Sequence, residues 1–67
     1  MKLLDVVALT QSLPEKHLTR GQVGTIIEEL DTGVYEVEFS DLNGKAYAMA
    51  AVEERNLMPL LHCAIAA

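Results

Sequence analysis

Gly24-Thr25-Ile26-Ile27-Glu28-Glu29-Leu30-Asp31-Thr32-Gly33-Val34-Tyr35-Glu36-Val37-Glu38-Phe39 reads as one β-hairpin, and it decides the fold. β-Branched and aromatic residues flank a turn-forming Asp-Thr-Gly, with polar residues interleaved at the period of a pleated strand. A loop of Asp31, Thr32 and Gly33 fits a turn closed by glycine in the left-handed region. That turn sets Leu30 opposite Val34, Glu28 opposite Glu36 and Ile26 opposite Glu38. On the other face Ile27 meets Val37 and Thr25 meets Phe39. Val23, Ile27, Val37 and Phe39 are therefore expected to line the core, with Ile26, Glu28, Leu30, Val34, Glu36 and Glu38 facing outward.

Working outward, Asp5-Val6-Val7-Ala8-Leu9 is a short apolar strand, and Thr10 to Arg20, holding Pro14, is a long irregular loop. Beyond the hairpin, Ser40-Asp41-Leu42-Asn43-Gly44 is a second turn. Lys45 to Ala51 is expected as a strand despite its alanines, which favour helix in isolation. Val52 to Asn56 suits a single 3₁₀ turn. Leu57-Met58-Pro59-Leu60 closes the fold, and Pro59 demands a sheet edge or a strand end. The expected fold is all-β: a small five-stranded SH3-like barrel over residues 1–60, with one short 3₁₀ turn before its last strand. An apolar tail of residues 61–67 follows.

The chain also resembles a known family. Asp5-Val6-Val7-Ala8-Leu9, Leu13-Pro14, Arg20-Gly21-x-x-Gly24-Thr25-Ile26-Ile27-Glu28, Tyr35-Glu36-Val37-Glu38-Phe39 and Asn56-Leu57-x-Pro59-Leu60 are similar, block by block, to domain-of-unknown-function family 4926. These are short bacterial proteins. The resemblance implies the barrel and brings no catalytic residues with it. The Arg20-Gly21-x-x-Gly24-Thr25 segment is also similar to the turn-and-strand motif of KOW domains, which bind RNA or ribosomal partners.

Composition narrows the functions open to such a domain. The chain has 67 residues and a net charge of −5, from ten acidic and five basic residues. Lys2, Lys16, Arg20, Lys45 and Arg55 are scattered, whereas nucleic-acid binding needs a clustered basic footprint. Asp5 interrupts the apolar N-terminal run, and no small-residue cleavage site follows it, so a cytoplasmic protein is expected. No apolar stretch reaches the roughly 20 residues of a membrane span. Cys63 is the single cysteine, which rules out an intrachain disulfide. With His17 and His62 it offers too few ligands for structural zinc. No cofactor is expected. Neither a nucleophile with its base nor a carboxylate in an apolar pocket is apparent, so an enzyme is not expected.

Two surfaces stand out instead. The outward hairpin face mixes Ile26, Leu30 and Val34 with Glu28, Glu36 and Glu38. It is either an interface or the seat of the Thr10–Arg20 loop. Its carboxylates either recruit a basic partner or a cation, or form a solvated face screened by salt. The end of the chain, with Leu61 and Ile65, carries no charged side chain. It reads as a segment packed on a neighbouring subunit, with a frayed end as the alternative. A domain this small buries only roughly 60% of the surface its unfolded chain exposes, and oligomerisation is one remedy. The expectation is a self-associating interaction module, with an acidic accessory subunit for a separate basic protein as the alternative.

Overall fold

The computed structural model describes residues 1–60. Its hairpin consists of β2 (Val23–Asp31) and β3 (Val34–Ser40), joined through Thr32 and Gly33, with Gly33 at φ +73°. β1 (Val6–Leu9) pairs with β2, and β4 (Ala46–Glu53) pairs with β3. β5 (Leu57–Pro59) returns to β1. The result is one five-stranded antiparallel sheet in the order β4-β3-β2-β1-β5. The all-β expectation and its strand sequence hold, including the 3₁₀ turn at Glu54–Asn56 just before β5. A second 3₁₀ turn, Pro14–Lys16, lies within the long loop.

The hairpin register differs from the one expected of its turn. Glu28 opposite Glu36 and Glu29 opposite Tyr35 are as expected. Bulges at Ile27 and Leu30 each insert one extra residue into β2, so pairing slips by one on either side of that short stretch. Asp31, not Leu30, faces Val34, and Ile26 faces Val37 in place of Glu38. The slip exchanges the faces of β2. Ile26 is fully buried, while Val23 and Ile27 are 44% and 38% exposed. The assignment of Ile26 to the outer face and of Val23 and Ile27 to the core is thereby reversed.

The cause is visible at Gly24, which faces Phe39. A Cβ there would lie 2.7 Å from Val37 Cγ1 and 2.8 Å from the Glu38 carbonyl oxygen. Only glycine leaves room for Phe39 to lie against β2, whereas an unbulged strand would put Thr25 in that place. Phe39 is wholly buried, worth about 2–3 kcal/mol of transfer free energy.

Val7, Leu9, Ile26, Tyr35, Val37, Val52 and Leu57 complete the core around it. The alanines of β4 fit the same logic: Ala48 pairs with Phe39 and Ala50 with Val37, small residues set against large ones. The long loop adds Leu18, which is buried, with Leu13 packed at the core margin. Leu13 and Leu18 bond each other's backbones at 2.8 and 3.1 Å, pinching the loop at its base. The loop thus plugs the core and does not lie over the outer hairpin face, where Glu28 and Leu30 remain exposed.

Candidate functional site: the outer sheet face

Alternation along β3 turns Tyr35, Val37 and Phe39 inward and Val34, Glu36 and Glu38 outward. The neighbouring strands extend each outward position into a row. Glu36 lies between Glu28 of β2 and Ala51 of β4, Glu38 between Thr25 and Met49, and Val34 between Asp31 and Glu53. Carboxylates therefore occupy each of these three rows, centred on the Glu28–Glu36 pair. Directly opposed like charges cost a few tenths of a kcal/mol.

The sheet gives these acids little local compensation. Arg55 Nε reaches Glu53 Oε2 at 3.0 Å, both side chains being exposed. Among the described residues Glu28, Asp31, Glu36 and Glu38 have no ion-pair partner.

Apolar residues border the acids. The bulge at Ile27 turns Ile26 inward, and the two bulged residues, Ile27 and Leu30, stay outside, Leu30 being 44% exposed. Met49 stands beside Glu38 and is 56% exposed. Of the residues expected at the interface, Glu28, Leu30, Val34, Glu36 and Glu38 do lie on the hairpin away from the core, Leu30 within a bulge. Leu61 and Ile65 lie outside the described residues. Ile27 and Met49 were missed, Ile27 because a bulge leaves little trace in alternation. Met49 was legible, as an unbranched apolar residue set among alanines.

The remaining candidates do not converge. His17 sits at φ +57° as the cap of the first 3₁₀ turn, and its side chain is exposed. Arg20 donates its backbone N–H to Ser12 Oγ at 2.9 Å. Among the described residues no pocket forms, and no three His, Cys, Asp or Glu side chains gather to hold a metal. No helix is long and apolar enough to cross a membrane.

One polar cluster serves the fold. The Tyr35 ring is in the core, and its hydroxyl donates to Glu54 Oε1 at 3.3 Å and contacts the Met1 carbonyl oxygen at 3.4 Å. Burial, and then the Glu54 carboxylate, push the phenol above its ordinary pKa.

The profile of a family described as "Domain of unknown function (DUF4926)" matches residues 3–59. The chain belongs to this family. No curated protein and no solved structure matches it. The DUF4926 match takes in all five strands, so the core glycine, both bulges and the acidic rows all fall within the family's span. Residues 60–67 fall outside it.

Proposed function

We propose that this DUF4926 chain is a non-enzymatic, cytoplasmic protein-interaction module that self-associates. Its contact surfaces are the outer hairpin face and the uncharged segment 61–67. The observation that carries the reading is the exposure of Ile27 and Leu30, 38% and 44%, beside an acidic face that the long loop leaves uncovered. A contiguous apolar area on such a surface marks an interaction site more often than a random stretch of surface does. Light scattering coupled to size exclusion tests it: a mass above that of one chain is expected at micromolar concentrations. A strictly monomeric species up to high micromolar concentration rejects self-association.

The carboxylates favour a second reading, an acidic accessory subunit that covers a separate basic protein. Complementary charge chiefly accelerates encounter and excludes wrong partners. The uncompensated Glu28, Glu36 and Glu38 would supply that charge. A basic protein captured from the native host should lose binding to a Glu28→Lys, Glu36→Lys double variant, and its association should slow steeply with salt. Unchanged binding by that variant rejects this reading.

A further inference from the structure

The outer face of the sheet is acidic on the hairpin and uncharged at the opposite corner. Alternation along β1 turns Val7 and Leu9 into the core and Val6 and Ala8 outward. Ala8 lies between Val23 of β2 and Met58 of β5, and Val6 lies beside Thr25. Leu60 joins this corner by donating its N–H to the Val6 carbonyl at 2.9 Å. Ala8 is buried yet stands apart from the core cluster, because its two larger neighbours shield it. Those neighbours, Val23 and Met58, are themselves 44% and 49% exposed. A small residue between two large ones makes an apolar dip across three strands, and contiguous apolar surface of this kind calls for a cover.

The described residues end at this same corner. Past Leu60 the ladder between β5 and β1 has nothing left to pair with, since Leu4 turns at φ +70° and its N–H is taken by the Ile26 carbonyl. Residues 61–67, Leu-His-Cys-Ala-Ile-Ala-Ala, follow directly and carry no charged side chain. We propose that residues 61–67 fold back over the outer face of their own chain and seat on Val23, Ala8 and Met58. Reach permits it: seven residues extend to about 23 Å, and three strands span about 10 Å. The tether favours it, because a segment that starts at the rim of the dip meets it at an effective concentration in the millimolar range. Charge directs it to this corner, since an apolar cover over Glu28, Glu36 and Glu38 would strip water from unpaired carboxylates. The inference goes beyond the self-association reading and holds for a single chain. Seated there, the segment borders the row of Thr25, Glu38 and Met49, so the two contact surfaces of that reading become one.

Cys63, the single cysteine, reports the seat in the whole chain. Under mild oxidation Val23→Cys should close an intrachain disulfide with Cys63 at least tenfold faster than Leu3→Cys does. Leu3 precedes β1, at the end toward which antiparallel β5 runs, where a segment continuing past the sheet would meet it. Both positions are exposed, so neither substitution disturbs the core. Equal rates, or faster closure at position 3, overturn the seat. A dimer joined through position 23 of one copy and Cys63 of another also overturns it, and leaves self-association standing. A second measurement needs no new cysteine: removing residues 61–67 should shift the amide resonances of Val6, Ala8 and Val23 and leave those of Glu36 and Ala51 in place. Unmoved resonances at the corner overturn the proposal. Fast closure at position 23 in a chain that light scattering finds monomeric supports the seat while rejecting self-association.

Discussion

Gly24 lies directly across the sheet from Phe39, and a methyl group added to it would come within 3.0 Å of Phe39 Cδ1. It would also meet the Glu38 carbonyl at 2.8 Å, and that backbone atom is fixed by the sheet on both sides. Gly24→Ala is expected to destabilise the fold by about 1–3 kcal/mol through overpacking. Urea denaturation measures this, and a loss below about 0.5 kcal/mol would mean that the strands are not so close.

The bulged register separates two adjacent isoleucines. Ile26→Ala removes a fully buried side chain and should cost about 2–5 kcal/mol. Ile27→Ala, at a bulge and partly exposed, should cost about 1 kcal/mol or less. The unbulged pairing demands the opposite order, so equilibrium unfolding of the two variants decides between the registers.

Leu4 holds φ +70° with its side chain 74% exposed, and its N–H donates to the Ile26 carbonyl at 2.7 Å. A left-handed conformation costs a non-glycine residue about 1 kcal/mol, and little burial offsets it here. Leu4→Gly should therefore raise stability by up to about 1 kcal/mol, seen as a higher thermal midpoint. A lower midpoint would show that the leucine side chain contributes packing that outweighs the strain.

Tyr35 makes stability depend on alkaline pH. Its folded pKa is raised above the ordinary 10.0, so between the two values the folded state binds more protons than the unfolded chain. The contribution is constant below pH 10 and unfavourable above it, so unfolding free energy should fall as pH rises from about 10 through the folded pKa. Tyr35→Phe should flatten that part of the profile in urea titrations at pH 9 to 11. A profile identical to wild type would assign the alkaline loss to other groups.

Much of this architecture is legible in the residues. Glycines, proline and short apolar runs mark every strand within two residues, because turn chemistry is local. The opposition of Glu28 to Glu36 also follows from the turn. The faces of β2 did not follow, since Ile26 and Ile27 are chemically alike and either could serve the core. What distinguishes them is a tertiary fit, Gly24 beneath Phe39, which no pattern within the hairpin expresses. The same fit left Ile27 outside and so altered the candidate surface. The burial of Leu18 was hidden for a related reason: a lone leucine in a polar loop gives no periodic signal.

The two bulges also bear on how the hairpin comes to be paired. Between them the chain keeps the alignment of a three-residue loop, whereas the observed turn sets Asp31 against Val34 and the strand beyond Ile27 is shifted by one residue more. A continuous, unbulged hairpin would keep the same acids outward while offering Val23 and Ile27 to the core. That hairpin, closed by a three-residue loop, differs from the native one in the seating of Phe39. The packing of Phe39 against Gly24 favours the native pairing over that one. Enlarging Gly24 would then favour the wrong hairpin as well as weaken the right one.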